Sequence, residues 1–486
     1  MSSLPTLSRA PFASQRCSAE GHGLLKKSLT HTAGRVLRAI LPLWLLAALP
    51  SHAQTPRWQW AAQSNGSGNA VVKNIAVDAA GNSYAVGFFT EKVQFGATTL
   101  VSQGRSDLFV AKLSSAGNWE WAVAAGGDGS DNAAGVAVDA TGRVFVTGSF
   151  SQRVGFGRTV LTSRGDQDVF VAQLSARAGQ WQWATAGGGP NLDRACALSL
   201  GSTGELLVAG QFAETATFGT SPLVSRGSTD AFVARLTRAG TWQWATAAGG
   251  ADNDEASALA TNAAGEVYVT GYFSNTGTFG AATLTGQGMD DAFVGKLTSA
   301  GRWLWATAAT GSNTAYGKAL TADPTGGVFV TGSCSGTAVF GATQLRGDGS
   351  DDGFVARLTD TGQWQWVTVL ASNYLESIAG IALDKAGKLY VAGTFSKTIR
   401  GGAFQLTSRG HQDVFVGYLT RAGTWLGLVA AGGLAPDEAS ALALAPTGEI
   451  CVGGTFSAAA TFGALPLQSA TANPQACVAR TAVPQL

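Results

Sequence analysis

An acidic side chain recurs in a short segment that usually reads Gly-Gly-x-x-x-Asp. Hard cations such as Ca²⁺ take several carboxylate or carbonyl oxygens as ligands. A ring of these side chains could therefore hold a divalent cation or a polar ligand. The alternative is that each carboxylate accepts hydrogen bonds from nearby backbone amides and stabilises a turn. The acidic positions are Asp131, Asp193, Asp254, Glu376 and Asp437.

A second series of acids follows a glycine by three residues and precedes a predicted strand. We interpret this series as turn chemistry. Paired carboxylates could also hydrolyse a glycosidic bond, but no acid stands apart from the repeat as a distinctive candidate. The second series consists of Asp107, Asp168, Asp230, Asp291, Asp352 and Asp413.

Other kinds of catalysis lack the residues they need. After residue 53 the only histidine is His411, so neither a Ser-His-Asp triad nor a His-ligated metal can be assembled in the usual way. No phosphate-binding P-loop motif occurs. The sequence predicts no cofactor, apart from the divalent cation considered above.

Two cysteines near the end of the chain could form a disulfide. Cys451 and Cys477 occupy positions where another repeat carries Tyr268 and Phe293. We expect these positions to face each other across adjacent antiparallel strands, at a separation that suits a disulfide. The alternative is two free thiols that pack as small apolar side chains.

The elements that must position these residues belong to an internal repeat, whose mark is a Trp-x-Trp motif every 61 or 62 residues. We interpret the paired tryptophans as packing between repeats; the alternative is a ring of sugar-stacking platforms. A Phe-Gly pair also recurs, and it favours an ordered flap over a variable recognition loop. The motif starts at Trp58, Trp119, Trp181, Trp242, Trp303 and Trp364, and in degenerate form at Trp425.

Each repeat predicts four short strands, because apolar and polar residues alternate and glycine-rich turns interrupt them. Asp-x-x-Gly segments such as Asp78–Gly81 predict type I turns between the first two strands. Seven such units favour an all-β, seven-bladed β-propeller of four-stranded antiparallel blades. The last unit lacks its own Trp-x-Trp strand, while the chain carries a spare one at Trp58. We expect this N-terminal strand to complete the last blade and close the ring.

In a propeller the first strand of each blade lines the central channel. The five acids of the Gly-Gly segment should then form a ring at one channel mouth. The sixth repeat is thinned: Gly401 replaces the recurrent Phe, and Gly427 replaces the second Trp. These losses predict a recess, with His411 and Tyr374 on connections of the same blade; its origin is either ordinary sequence drift or a groove for a partner.

Three motifs identify a family resemblance. GEVYVTGYF at residues 265–273, GRVFVTGSF at residues 142–150 and DLFVAKL at residues 107–113 resemble the bacterial seven-bladed β-propeller repeat family (SBBP repeats). The resemblance covers residues 55–483. It implies an exported or cell-surface bacterial protein, and it brings no catalytic residues to carry over.

The first 53 residues read as a leader. Arg35 and Arg38 precede an apolar run and Pro50-Ser51-His52-Ala53, which is typical of a signal peptide cleaved after Ala53. The run is too short to span a bilayer. Removing six basic residues and one acidic residue leaves 26 basic against 30 acidic, a net charge of −4, so no basic face for nucleic acid is expected.

The sequence thus predicts a leader at 1–53 and a propeller at 54–486, secreted or periplasmic and monomeric. We expect a non-enzymatic binding or scaffold protein of the bacterial envelope whose partner is a glycan or a surface protein. A carbohydrate-active enzyme with carboxylates at the channel mouth, and a purely structural surface module, are the alternatives.

Overall fold

Every regular element in the described part of the chain is a β-strand. The structure is a computed structural model that describes residues 57–347, 351–372, 374 and 376–482, without the side chain of Glu376. The predicted leader lies outside these residues. The all-β class predicted from the alternation of apolar and polar residues is confirmed. Within the described ranges no helix has the length and apolarity needed to cross a membrane.

We group the strands into units A to G in chain order. Two strands precede unit A: β1 (Arg57–Gln63) and β2 (Asn65–Gly66). Unit A contains β3 (Ala70–Val77), β4 (Ser83–Phe89), β5 (Lys92–Phe95), β6 (Thr98–Val101), β7 (Asp107–Leu113) and β8 (Trp119–Ala125). Unit B contains β9 (Asp131–Val138), β10 (Arg143–Phe150), β11 (Arg153–Phe156), β12 (Thr159–Thr162), β13 (Asp168–Ser175) and β14 (Trp181–Gly187). Unit C contains β15 (Asp193–Leu200), β16 (Leu206–Phe212), β17 (Thr215–Phe218), β18 (Ser221–Val224), β19 (Asp230–Leu236) and β20 (Trp242–Gly250).

The later units repeat this order. Unit D contains β21 (Asp254–Thr261), β22 (Val267–Phe273), β23 (Thr276–Phe279), β24 (Ala282–Thr285), β25 (Asp291–Leu297) and β26 (Trp303–Gly311). Unit E contains β27 (Ala315–Ala322), β28 (Val328–Cys334), β29 (Thr337–Phe340), β30 (Thr343–Arg346), β31 (Asp352–Leu358) and β32 (Trp364–Ser372). Unit F contains β33 (Glu376–Leu383), β34 (Leu389–Gly401), β35 (Phe404–Leu419) and β36 (Trp425–Gly433). Unit G contains β37 (Glu438–Leu444), β38 (Ile450–Phe456), β39 (Ala459–Phe462), β40 (Leu465–Gln468) and β41 (Gln475–Ala482).

Each unit has a four-stranded antiparallel sheet at its centre. In unit A the order is β3-β4-β7-β8, and β5 and β6 form a separate hairpin. The turn between the first two strands is the predicted one: the Gly81 N–H donates to the Asp78 carbonyl at 3.0 Å, and the Asp78 side chain accepts the Ala80 N–H at 2.9 Å. The Asp-x-x-Gly motif therefore forms the tight turn that joins the first two strands of the unit.

The N-terminal strand supplies the fourth strand of unit G. In that sheet the order is β1-β41-β38-β37, with Trp58 opposite Thr481 and Ala62 opposite Val478. The hairpins also connect units: β23 of unit D pairs with β20 of unit C, and β5 of unit A pairs with β2. Backbone hydrogen bonds thus run between units as well as within them.

The first strands of the units pack side by side. β3 contacts β9, the series continues through β15, β21, β27, β33 and β37, and β37 contacts β3. We call the surface that these strands line the inner face. Four-stranded sheets arranged in this way have the architecture of a β-propeller. Each first strand has a bulge near its middle, at Lys73, Ala134, Cys196, Ser257, Lys318, Ala379 and Ser440.

In every unit except F, the first tryptophan of the Trp-x-Trp motif packs against the Phe of a recurrent Phe-Gly pair. Phe218 is fully buried, and its ring centroid lies 5.0 Å from that of Trp242 in an edge-on arrangement. Trp242 also donates its indole N–H to the Ala186 carbonyl of the preceding unit at 3.0 Å. The packing interpretation of the tryptophans and the interpretation of Phe-Gly as an ordered flap are both confirmed.

The second tryptophan lies on a turn glycine of the next unit. A methyl group built on Gly240 would lie 2.8 Å from the Trp183 ring, and Gly240 has a φ of +82°. Gly142 has nearly the same φ, +78°, but its nearest contact would be 3.6 Å away, at Ala176. The two glycines therefore share a backbone conformation and differ in the space above them.

This pair of glycines makes a matched test of the inter-unit packing. Gly142→Ala should lower the free energy of unfolding by about 1–2 kcal/mol through left-handed strain alone. Gly240→Ala should lower it by about 1–3 kcal/mol more, because the indole ring must move. Chemical denaturation of both variants measures the difference. Equal losses of unfolding free energy would mean that the Trp183 ring can move without a measurable cost.

The space that the missing Phe and Trp of unit F were expected to leave is filled, so the predicted recess does not form at Gly401 and Gly427; a depression of about 370 Å³ lies instead beside Lys397 and His411. The ring of Trp425 fills the space left by Gly401: a methyl group built on Gly401 would lie 2.8 Å from it, and Trp425 is only 6% exposed. Tyr418 lies against Gly427 in the same way. The aromatic side chains have changed positions in the sequence, and the core remains filled.

The predicted Cys451–Cys477 disulfide is also wrong, because both cysteines are free. Cys451 lies opposite Arg480, and Cys477 lies opposite Gly454, so the two are three residues out of register. They also pack into different apolar clusters, on opposite sides of the sheet. Both thiols are small core side chains, which is the alternative reading of the sequence.

Candidate functional site

The predicted acidic ring is not displayed on the surface. Asp131, Asp193, Asp254 and Asp437 are 0% exposed; the side chain of Glu376 lies outside the described residues. Asp193, Asp254 and Asp437 fold back beneath their Gly-Gly segments, and each accepts a backbone N–H, as Asp193 does from Gly189 at 2.6 Å. These four carboxylates are therefore not exposed at a channel mouth, and binding of a cation or polar ligand by the ring remains a prediction.

The two acidic series, which lie in separate segments of the sequence, meet between units. A methyl group built on Gly188 would lie 2.8 Å from both the Asp168 Cγ and an Asp193 carboxylate oxygen. Burial, together with the charge of Asp168, raises the pKa of Asp193 to about 7 against the opposing backbone hydrogen bonds. We call these sets the acid pairs: Asp107/Asp131, Asp168/Asp193, Asp230/Asp254 and Asp413/Asp437.

A different group of side chains breaks the repeat on the inner face of units C to E. Where unit B carries Asn132, Ala134 and Ser149, unit D carries Glu255, Ser257 and Tyr272. First strands, a second strand and the segments before two third strands position this group. We call it the inner-face cluster: Arg194, Cys196, Glu255, Tyr272, Asp290, Tyr316, Lys318 and Asp351.

Two tyrosines form the centre of the inner-face cluster. The ring centroids of Tyr272 and Tyr316 lie 5.2 Å apart at an interplanar angle of 84°. The Tyr316 hydroxyl donates to Asp290 Oδ2 at 2.7 Å, and Lys318 Nζ lies 4.8 Å from the Tyr316 ring centroid. Both rings are half-buried, so the cluster offers aromatic surface together with charged hydrogen-bonding groups.

The charges around these tyrosines are mainly negative. Burial raises the pKa of Tyr272 to about 12, with further contributions from the charges of Glu255 and Asp290. Burial also raises the pKa of the Cys196 thiol, and the charge of Glu255 adds to this effect. Because the thiolate is the reactive form of cysteine, Cys196 is a poor nucleophile at neutral pH.

A depression of about 410 Å³ adjoins the inner-face cluster. Its lining includes Arg105, Ser130, Asp166, Gln167 and Arg194. The Arg194 Nε donates to the Gln167 side-chain oxygen at 2.9 Å, so a cluster residue forms part of the wall. This surface can exchange hydrogen bonds with a polar ligand that lies beside Arg194.

Sequence reasoning missed the inner-face cluster because it searched for residues that recur. The available signal was the opposite one: a single register position that changes chemistry from unit to unit. The position after the first acid reads Val71, Asn132, Arg194, Glu255, Tyr316, Ser377 and Glu438. Variable side chains on a uniform scaffold are typical of binding surfaces.

Metal-binding groups of the usual size do not occur in the described ranges. No three His, Cys, Asp or Glu side chains come together there in a way that could hold a metal ion. The described residues therefore contain no cluster of three or more such side chains that could bind the predicted divalent cation.

Comparison with known proteins gives distant structural likenesses only. No family model and no curated protein matches the chain. Among solved structures, the quinohemoprotein alcohol dehydrogenase of Comamonas testosteroni is 11% identical, with a TM-score of 0.43 over 89% of this chain and 78% of that one. BamB from Moraxella catarrhalis is 13% identical, with a TM-score of 0.38 over 86% and 99% of the two chains. The Pan2 WD40 domain of Neurospora crassa is 10% identical, with a TM-score of 0.34 over 66% and 85%. At these values the similarity assigns no function.

Proposed function

We propose that this protein is a non-enzymatic, glycan-binding β-propeller of the bacterial envelope. The observation that carries the proposal is the inner-face cluster, where aromatic and charged side chains interrupt a repeat that otherwise places small residues there. Tyr272 and Tyr316 would contact the apolar faces of sugar rings. Glu255, Asp290 and Arg194 would exchange hydrogen bonds with hydroxyl groups.

The scaffold of this proposal is a closed ring of seven blades, units A to G. Three observations support closure: β1 pairs with β41, β2 pairs with the hairpin strand β5 of unit A, and β37 contacts β3. A ring closed by hydrogen bonds leaves only short, protected sheet edges. Such a ring would be stable as a monomer.

Export completes the proposal. The leader-like segment that ends at Ala53 and the resemblance to the SBBP repeat family support secretion or a periplasmic location. A surface protein is the second class of partner that the propeller scaffold could serve. A glycan is favoured because the two half-buried tyrosines lie beside carboxylates and not on a broad apolar surface.

A glycan array followed by calorimetry tests the proposal. Tyr272→Ala and Tyr316→Ala should each weaken the affinity for the captured glycan at least about tenfold, since a loss of about 1.4 kcal/mol corresponds to tenfold. Glu438→Ala is the matched control, because it changes the exposed residue at the position of Tyr316 in unit G and should leave affinity unchanged.

Three results would contradict the proposal. The first is an array on which no glycan is bound. The second is an affinity of both tyrosine variants equal to that of the wild-type protein. The third is release of cleaved sugar. Cleaved sugar would favour a carbohydrate-active enzyme. Thermal unfolding of each variant must remain cooperative for the comparison to count.

A further inference from the structure

Two arginines from different units line one depression, whose volume is about 410 Å³. Arg105 lies just before β7 of unit A, and Arg194 lies in β15 of unit C. Most of the remaining lining comes from segments of unit B and from the connection that leads into it. Both arginine side chains are exposed. We call this space the arginine depression.

Backbone hydrogen bonds hold both arginines against unit B. The Arg105 N–H donates to the Gly129 carbonyl at 2.9 Å, and the N–H of Asp193, the neighbour of Arg194, donates to the Gln167 carbonyl at 2.8 Å. The Arg194 Nε also donates to the Gln167 side-chain oxygen at 2.9 Å. The fold therefore brings two cations from non-adjacent units to one depression.

Neither guanidinium is neutralised by a carboxylate. Among the described residues, no salt bridge joins Arg105 or Arg194 to an acid. Asp166 is the one acid in the lining, and its side chain is exposed. Asp107 and Asp131 are buried and do not line the depression. Two positive charges thus face one negative charge.

Other lining residues add hydrogen-bond donors. The Gln167 side-chain oxygen accepts from Arg194, so its amide nitrogen is left to donate. The Ser130 hydroxyl and the Gln152 side-chain amide also line the depression, and neither has a hydrogen-bond partner in the described part of the chain. Carboxylate and sulfate oxygens accept from such groups, and arginine holds them most strongly because it can donate two parallel bonds. The lining therefore suits an oxyanion.

The two arginines interrupt the repeat. Around each unit, one position lies two residues before the second-series acid of the preceding unit, and the other lies just after the first acid of the following unit. Around unit B both residues are basic, whereas around unit C both are acidic, Asp166 and Glu255. Since the same strands form in both units, the fold itself does not require either charge. The remaining pairs are Asn473 and Asn132 for unit A, Ser228 and Tyr316 for D, Met289 and Ser377 for E, Ser350 and Glu438 for F, and His411 and Val71 for G.

We infer that the arginine depression binds the carboxylate or sulfate group of an acidic glycan. This inference rests on the proposed function and names the class of glycan. Arg194 belongs to both sites, because its charge acts, as that of Glu255 does, on the Cys196 thiol of the inner-face cluster. An acidic sugar held by the arginines would leave other sugars of the same chain to contact that cluster. The volume lies within the range of about 300–1,000 Å³ that is usual for small-ligand sites.

An array of acidic oligosaccharides is the first test. It carries uronates and sulfate esters, each printed beside a neutral counterpart made by carboxyl reduction or desulfation. The protein should capture acidic members and bind their neutral counterparts at least about tenfold more weakly, since hydrogen bonds to charged groups are the stronger ones. The uronate and sulfate arms of the array distinguish the two oxyanions.

Calorimetry of variants with the captured acidic oligosaccharide is the second test. Arg105→Gln and Arg194→Gln should each weaken its binding about tenfold. Asp166→Asn should strengthen it, because the substitution removes the one negative charge of the lining. Arg302→Gln is the matched control: it removes an exposed arginine from the turn after β25, at the opposite end of the strands, and should leave the affinity unchanged. Thermal unfolding confirms that each variant is folded.

Three outcomes would overturn the inference. Equal affinity for acidic oligosaccharides and their neutral counterparts would mean that no oxyanion is recognised. Equal losses in Arg105→Gln and Arg302→Gln would mean that net charge, and not the depression, attracts the ligand. Weaker binding by Asp166→Asn would assign a ligand that needs the carboxylate.

Failure of this inference is distinguishable from failure of the proposed function. Capture of neutral glycans alone, lost in Tyr272→Ala, would leave a glycan-binding protein and refute the acidic ligand. Capture of no glycan, acidic or neutral, would refute the proposed function together with this inference.

Discussion

Replacing Trp58 with alanine is expected to lower the free energy of unfolding by about 3–5 kcal/mol, the usual loss for a buried tryptophan. Trp58 is 6% exposed, and its ring centroid lies 4.9 Å from that of Phe462 at an angle of 88°. It is the principal apolar anchor of β1, which pairs with β41 at the other end of the chain. The substitution should therefore loosen the junction between the two ends.

Gln59→Ala is the control for this prediction. Gln59 is the next residue of the same strand, and its side chain is exposed, so the change should stay within about 0.5 kcal/mol. Urea denaturation followed by tryptophan fluorescence gives both values. A Trp58→Ala loss as small as that of Gln59→Ala would show that β1 adds little to the stability of unit G.

Strand existence and turn chemistry could be predicted from the sequence because both are local. The sequence places strands at residues 266–272 and 291–297, and the structure has Val267–Phe273 and Asp291–Leu297. The alternation of apolar and polar side chains fixes such segments within a residue or two. The repeat itself adds certainty, since each unit presents the same signals again.

Register between strands could not be predicted in the same way. The expectation that Cys451 faces Cys477 rested on Tyr268 and Phe293, yet Tyr268 pairs with Lys296 and Phe293 pairs with Gly271. Period-2 patterning tells which residues share a face of one strand, but the offset of its partner is set by the connection between them. In each unit that connection contains a hairpin that pairs with a neighbouring unit.

The site was predictable only in part for a related reason. The recurrence of Asp193 and Asp254 marked them as structurally constrained, and the structure confirms the constraint. The recurrence did not reveal that the Asp193 carboxylate turns inward to meet Asp168, or that the Asp254 carboxylate turns inward to meet Asp230. Such meetings join residues from two units, and no local pattern contains them.

The protein is expected to lose stability as the pH rises from about 4 to 7. Burial raises the pKa of Asp254 to about 7, whereas an aspartate in an unfolded chain has a pKa of about 3.9. Between these values the folded state holds a proton that the unfolded state has released. Stability from this group is therefore complete below about pH 4 and is lost as the pH rises through the folded pKa.

Groups with lowered pKa values set the acid limit of this window. Hydrogen bonds from Arg421 and Thr325 outweigh burial and lower the pKa of Asp323 to about 2. Burial alone would raise the pKa values of Asp78 and Asp139, but the hydrogen bonds in their turns outweigh it and lower both pKa values. The stability that these groups contribute is present above the unfolded pKa and is lost as the pH falls through the folded one. The free energy of unfolding should therefore be greatest near pH 4–5, below the pH range of about 5 to 8 in which most proteins are most stable.

Asp254→Asn isolates the contribution of one acid pair. Asparagine keeps an oxygen for the Gly250 N–H, which the aspartate accepts at 2.7 Å, but it carries no charge at any pH. The variant should match the wild-type protein near pH 4 and exceed it at pH 8 by up to about 4 kcal/mol, which corresponds to a shift of about three pKa units. Asp166→Asn, which neutralises an exposed carboxyl, should leave the pH dependence unchanged.

Denaturation in EDTA across pH 4–8 distinguishes this effect from cation binding. If the Asp230/Asp254 pair keeps a proton, Asp254→Asn flattens the pH dependence equally with and without CaCl₂, because the guanidinium of Arg226, which donates to the Gly249 carbonyl at 3.2 Å, already supplies positive charge at that pair. A flattening that CaCl₂ abolishes would assign a cation to this pair. Parallel curves for the variant and the wild-type protein would mean that Asp254 is ionised in the fold, with its charge balanced by groups other than a proton.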